Sequence, residues 1–496
     1  MPVRISAAME AEHPHCREII FYIQEGMGMA AVETASTEEQ KKYLKWYNKV
    51  GYGSGDLAAN CGYGLLTSFV MIYLTDSIGL SAGIVGTLIM ISKFFDGFTD
   101  IIFGNLMDRT HSKMGKARPW MLWSQLGNSF FLICCFAIPT SWGKTAQYAF
   151  FFISYTLLNA IFYTANNIAY AALTSLITKN TNERVQVGSI RFMFSLATNL
   201  TIASITQQLV VKFGGGVAGW RTVAILYALV ALVVNTISVL SVKELPQEPN
   251  AEMVNKEGKK EGEVSILKAL KILFSNKYFL LLLLIYIAVY LQTGFMGIGV
   301  YFMRDVLGDA NLYGTFTMAT MLPMIVGLIF TPILVAKFKG MYKVNLYGYL
   351  FSIIFKIVFV VAGLSLNVPM MLISAFFAGL GTAPLTGDLN ALISSTTDYA
   401  YRKTGVHVEG AMFSASSVGI KVGGGVGTAL SGWILSASGY VGTATSQPAS
   451  YYTALKGMYL WFPLGICIVM ALLLSQMTVE KANAKWEAEH PGMLHE

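Results

Sequence analysis

Three ionisable residues, Lys93, Asp96 and Asp100, stand inside an otherwise apolar run in residues 84–120. At helical spacing they are i, i+3 and i+7 and share one face. A single Asp or Lys at the centre of a membrane helix costs about 3 kcal/mol. Three on one face therefore imply mutual pairing, a watery cavity or a bound ion. The apolar run then gives way to a basic loop holding Asp108, Arg109, His111, Lys113, Lys116 and Arg118. A one-sided charged helix running into a basic loop is a transporter pattern. Further polar residues recur in apolar surroundings: Asp56 and Asn60 at i, i+4; Tyr163 and Thr164 one turn before Asn167; Arg191; and Ser417 one turn before Lys421.

The elements that must hold these residues are membrane helices. The chain is 54% hydrophobic and 13% charged, where soluble domains average about 25% charged residues. The net charge of +7 reports topology in such a chain and does not point to nucleic acid. The five cysteines show neither metal spacing nor a disulfide framework. No phosphate loop, nucleophile–base pair or zinc signature is present, so the chain does not read as an enzyme. With about 20 apolar residues per span, twelve spans are expected, at 53–75, 83–106, 119–139, 147–176, 189–211, 221–242, 277–303, 312–336, 344–365, 369–394, 409–437 and 455–477. Lys and Arg concentrate in alternate connections, which places both termini in the cytoplasm by the positive-inside rule. The expected division is a cytoplasmic tail over 1–50, a six-helix bundle over 51–243, a charged cytoplasmic linker over 244–276, a second bundle over 277–477 and a tail over 478–496.

The run K-F-F-D-G-F-T-D followed by G-N-L-M-D-R-T-H-S-K-M-G-K-A-R-P-W resembles the second helix and following loop of the glycoside–pentoside–hexuronide:cation symporters. That family is the melibiose-permease-like branch of the major facilitator superfamily. The resemblance continues through the Gly-rich opening of helix 1, the Y-T-x-x-N segment of helix 4, the helix 7–8 connection, and the D-Y-x-x-x-K-T-G-x-x-x-E-G segment before helix 11. It implies an all-α membrane protein of twelve transmembrane helices in two pseudosymmetric six-helix bundles, working by alternating access.

The resemblance also assigns roles. Asp96 and Asp100 bind the coupling cation, helped by Asn167, Thr164 and Thr99. Asn60, Tyr163, Asn167, Arg191, Lys421 and Ser417 meet the sugar. Lys93 neutralises an acid when the cation is absent, and Asp56, Asp108, Arg109 and Asp398 serve charge balance and gating, with Asp398 pairing loop bases across the cytoplasmic face. The chain departs from the family pattern where Asn60 and Asn167 stand for acids and Ala169 for a proline. An amide can coordinate Na⁺ or bond a hydroxyl but carries no proton or charge.

With two acids left where a member has three, proton coupling is favoured over Na⁺, since two acids at i, i+4 can share one proton. The cargo reads first as a neutral pentoside or glucoside; the other reading is a hexuronide, since bases kept beside lost acids favour anionic cargo electrostatically. The expected function is cation-coupled sugar or glycoside symport across the cytoplasmic membrane by a monomer, with no cofactor beyond the cation. The rivals are a lysolipid carrier of the same fold and a non-transporting sugar sensor.

Overall fold

The computed structural model describes residues 42–110, 112–245, 266–406 and 408–490. Twelve helical rods organise them: α1 (Trp46–Ser77), α2 (Ala82–Asp108), α3 (Arg118–Phe136), α4 (Lys144–Ile177), α5 (Thr181–Lys212), α6 (Gly216–Ser241), α7 (Lys277–Asp305), α8 (Leu312–Phe338), α9 (Met341–Leu364), α10 (Val368–Thr404), α11 (Glu409–Ala437) and α12 (449–476). Of the sequence-based divisions, residues 1–41 of the tail, 246–265 of the linker and 491–496 lie outside the described residues. A short helix, Ile266–Ser275, leads into α7, and another, Val479–Glu489, follows α12.

Ten of the helical segments are long and apolar enough to cross a membrane by composition alone; α3 and α5 are not among them. Some of their polar residues are spent inside the bundle. In α3, Ser129 bonds the Ala228 carbonyl of α6 at 3.1 Å, and the Met121 carbonyl takes the amides of Asn166 and Asn235, each at 2.9 Å. In α5, Asn199 reaches Asn60 at 2.9 Å, and Thr206 meets the hydroxyl of Tyr227 at 2.9 Å. Interhelical hydrogen bonds of this kind take the place of side-chain hydrophobicity where lipid is not touched.

The rods α1–α6 pack on one another, as do α7–α12, and the two groups meet chiefly along α2 with α11 and α5 with α8. The halves repeat a device that fastens a helix end. Glu244, just past α6, accepts from the backbone N–H groups of Lys116, Ala117 and Arg118 at the start of α3, at 2.7, 2.9 and 3.0 Å. Glu480, just past α12, accepts from Met341 and Tyr342 at the start of α9, both at 2.9 Å. Each carboxylate satisfies orphan donors at a helix N-terminus, where the helix dipole favours negative charge. The third helix of each half is thereby tied to the chain that leaves its last helix.

Among the described residues, the halves touch closely toward one end. At the end opposite the 109–118 connection, a Cβ on Gly432 of α11 would sit 2.4 Å from the Ala82 carbonyl of α2. Toward the connection, Gly104 of α2 has nothing within 4 Å of its Cβ position. The α2–α11 pair thus diverges toward the basic loop.

Candidate functional site

A cavity of about 400 Å³ lies where the halves diverge. On one side it is lined by Tyr63 and Thr67 of α1, Lys93, Asp96 and Asp100 of α2, and Tyr155, Asn159, Tyr163, Thr164 and Asn167 of α4. Thr293 and Gly294 of α7, with Ser417, Lys421 and Thr428 of α11, line the other. Two backbone irregularities shape it. Residues Leu157–Tyr163 of α4 are π-helical, a widening common at functional sites. It leaves the Asn159 carbonyl 3.0 Å from the Thr164 hydroxyl. The rod α7 breaks between Gly294 and Ile298, in the manner of the discontinuous helices that build transporter sites.

The two acids are held from both halves. Lys421 of α11 reaches across the cavity and forms an ion pair with Asp100. The same ammonium lies 3.5 Å from Asp96 Oδ2 and donates to the Asp96 carbonyl oxygen at 2.8 Å. The other Asp96 oxygen is hydrogen-bonded to Thr164, and Asp96 is only 7% exposed. The Thr164 hydroxyl has one proton and two neighbours able to accept it, the Asp96 carboxylate and the Asn159 carbonyl. A proton on Asp96 completes the line from Asp96 through Thr164 to Asn159; an ionised Asp96 competes with the carbonyl for the Thr164 proton. The Asn159 amide nitrogen is buried at the cavity wall with no partner among the described residues.

Eight of the sequence-predicted residues line this cavity: Lys93, Asp96, Asp100, Tyr163, Thr164, Asn167, Ser417 and Lys421. Their detailed contacts differ from expectation at Lys93. Its ammonium donates to Asn159 at 3.2 Å and lies 5.2 Å from the Tyr63 ring centroid. The base that neutralises the acids is Lys421, which crosses from the other half. Asn60 and Arg191 do not line the cavity. Asn60 is occupied by the Asp56 carbonyl at 2.7 Å and by Asn199. Arg191 pairs with Asp56 at 2.7 Å and stacks on Tyr170 at 3.9 Å, so Asp56 and Arg191 balance each other between α1, α4 and α5. Thr99 points back to the Asp96 carbonyl at 3.1 Å. The side chain of Asp108 lies outside the described residues. Arg109 and Asp398 are exposed and form no ion pair among the described residues. The cross-face pairing expected of Asp398 is absent there because the halves stand apart at that end.

Sequence reasoning passed over Tyr63, Tyr155, Asn159 and Thr293. The signal for Asn159 was present: a lone amide in an apolar run, one turn before Tyr163. Tyr63 stacks on Tyr163 at 5.7 Å with an 18° interplanar angle, a flat aromatic pair of the kind that sugar faces stack on.

A second missed feature closes the far end. Asp76, at the end of α1, pairs with Arg304 of α7 and accepts from the hydroxyl of Tyr440, beyond α11, at 2.5 Å. Asp305 holds Arg304 through Nε at 2.6 Å and Nη2 at 2.8 Å, and takes the Tyr451 hydroxyl at 2.6 Å. Thr75 meets Tyr301 at 2.8 Å, and Tyr313 donates to Ser68 at 3.1 Å. Among the described residues, the polar pairs that tie the halves all lie from the level of Lys421 to this end. Replacing Arg304 with Ala removes the centre of the latch while leaving the cavity intact. A cysteine placed at Ser431 on the cavity wall should then react faster with a membrane-impermeant maleimide applied from the far side than it does in the parent. Equal labelling rates would show that Arg304 does not hold that end shut.

Residues 51–481 match the family model described as MFS/sugar transport protein. The chain belongs to this family. It is a multi-pass membrane transporter of the major facilitator superfamily and not an enzyme. Among curated relatives it is similar to an isoprimeverose transporter of Lactiplantibacillus pentosus, 31% identical over 457 residues that cover 90% of this chain and 92% of the relative. It is also similar to the putative glycoside/cation symporter YagG of Escherichia coli (strain K12), 28% identical over 89% of this chain and 94% of that one. A glucuronide carrier protein homolog of the same strain is 24% identical over 82% of this chain and 86% of its own. Among solved structures, a bacterial homologue of the human lysosomal transporter Spinster, inward-facing and unoccupied, superposes with a TM-score of 0.66 at 14% identity, covering 89% of this chain and 99% of that one. The nucleoside transporter NupG gives 0.56 at 13% identity, covering 87% and 98%. At these identities the structural likeness shows the fold alone.

Proposed function

We propose that this protein carries a sugar or glycoside inward across the cytoplasmic membrane in symport with a proton. The observation that carries the reading is Lys421, a base of the second half held by both acids of the first at the cavity wall. The relatives' names, a sugar transporter and a glycoside/cation symporter, support the substrate class. The basic 109–118 connection marks its end of the molecule as cytoplasmic, so the cavity described above opens inward and the Asp76–Arg304 latch faces out. The working unit is the monomer, since each chain holds a whole cavity.

The cycle follows from competition. Lys421 is a tethered cation that occupies the acids when no other cation does. A proton arriving on Asp96 takes up the line through Thr164 to Asn159 and weakens the hold on Lys421. The freed ammonium and the Tyr63–Tyr163 pair then offer the solute a donor and a flat apolar face. Cation and solute favour the same arrangement, which is linkage between two sites. Na⁺ is the second reading, favoured by the oxygens of Asp96, Asp100, Thr164 and Asn167 at one wall.

The test is uptake into membrane vesicles across a panel of sugars and glycosides. Na⁺ is replaced by choline at fixed pH, and a protonophore is then added. Uptake should survive choline and collapse with the protonophore. Strong Na⁺ dependence that the protonophore leaves untouched would overturn the choice of proton. No uptake of any glycoside would overturn the substrate class.

A further inference from the structure

The second half holds a chamber of its own, about 350 Å³, among α7, α8, α9, α10 and α12. Thr293, beside the break in α7, lines both this chamber and the central cavity, so the two meet at that side chain. The chamber wall is mixed: methionines and phenylalanines stand beside Tyr313, Tyr349, Tyr459 and Gln292, and the hydroxyls of Thr317, Thr320, Thr382 and Thr386 donate to carbonyls of their own helices. One cation stands in it, Lys356 of α9. At 1.5 Å per residue, Lys356 lies about 22 Å along a helix about 36 Å long, well inside the membrane.

Nothing in the chamber balances that charge. The lining residues include no Asp or Glu. Among the described residues Lys356 has no carboxylate partner, and its ammonium rests 5.3 Å from the Phe359 ring centroid. Three other bases have carboxylate partners: Arg191 has Asp56, Lys421 has Asp96 and Asp100, and Arg304 has Asp76 and Asp305. Lys93 shares its cavity with the two acids of α2. An uncompensated ammonium at membrane depth is costly and marks a functional site by default. In a low-dielectric chamber, it attracts an anion.

We propose that this chamber is a subsite for the anionic group, a carboxylate or sulfonate, of a transported glycoside whose sugar ring occupies the central cavity. The inference rests on the glycoside-symport reading and adds to it the residue that selects charge. It also moves the basis of an anion preference. The sequence pointed to Arg191 and Lys421; Arg191 is engaged by Asp56, and Lys421 is released only when a cation takes the acids, whereas Lys356 has no acid in its chamber to be released from.

The test uses the full-length protein in liposomes. It compares uptake of 4-nitrophenyl glucuronide with that of the neutral 4-nitrophenyl glucoside in the parent, Lys356→Met and Lys356→Arg. The readout is the acidic-over-neutral ratio of kcat/KM, so a general loss of folded protein cancels. Lys356→Met should lower the ratio about 10- to 100-fold, the scale of one charge-assisted hydrogen bond, and Lys356→Arg should keep it within about threefold. A ratio unchanged in Lys356→Met, while glycoside uptake still depends on Asp96, would overturn this inference alone. Octanoate that inhibits the parent but not Lys356→Met, with the glycoside ratio unchanged, would assign the subsite to a lipid carboxylate and overturn it likewise. Failure of every variant and the parent to carry either glycoside would overturn the symport reading and this inference with it.

Discussion

Replacing Asp96 with Asn should abolish accumulation of solute against its gradient while leaving exchange across equilibrated membranes. The amide keeps the shape of the carboxylate and can still accept from Thr164. It cannot carry a proton or hold Lys421 by charge. Asp96 is the more enclosed of the two acids and the one joined to Thr164, which also reaches Asn159, so the proposed cycle passes its coupling step through it. The expected accumulation ratio is about 1, the value reached when cation and solute no longer bias one another. Exchange should stay within about tenfold of the parent, the scale of a neutral hydrogen bond, since the amide keeps its contact with Thr164. Uphill uptake at the parent level would remove Asp96 from the cation site.

Lys421→Met should cost nearly as much, by a different route. Its loss leaves Asp96 and Asp100 facing each other without the base that ties them to α11. Breaking a buried pair from one side costs about 3–5 kcal/mol, and the partial exposure of Asp100, 33% of its side chain, reduces that through solvent screening. Uptake should fall about 10- to 100-fold for the remaining about 1–3 kcal/mol. The double variant Lys421→Met with Asp100→Asn removes both members together. It should recover exchange that the single variant loses, giving a measurable coupling energy between the two positions. Strictly additive losses would mean that Lys421 acts elsewhere than on Asp100.

Much of this site was legible in the sequence because membrane helices advertise their exceptions. Lys93, Asp96 and Asp100 interrupt an apolar run, and the i, i+4 relation of the acids survives in α2 because a helix fixes it. What a single chain cannot show is which of several bases reaches an acid. Lys93 is close in sequence, but its side chain is drawn to Asn159 and Tyr63, while Lys421 reaches the acids from 321 residues away. Arg191 was placed in the cavity by resemblance; its partner Asp56, 135 residues earlier, holds it between helices.

The two largest misses of the helix ends fell short of the helix. The expected span 189–211 begins at Thr181 in α5, and 369–394 continues to Thr404 in α10. Hydropathy sees only the apolar part of a helix whose polar end runs on past the hydrocarbon. The Asp76–Arg304–Tyr440 latch was hidden for the opposite reason. Its residues lie at the far ends of α1 and α7 and in the connection after α11, and none is unusual in its own segment.

The most direct test of the account is cation movement driven by solute. Liposomes holding the purified protein, with no initial cation gradient, receive an inward gradient of a transported glycoside, and the external pH is followed. The parent should alkalinise the medium as the glycoside enters, and Asp96→Asn should admit glycoside with no pH change. Proton movement that persists in Asp96→Asn, or glycoside entry through the parent with no cation movement at all, would contradict coupling at Asp96.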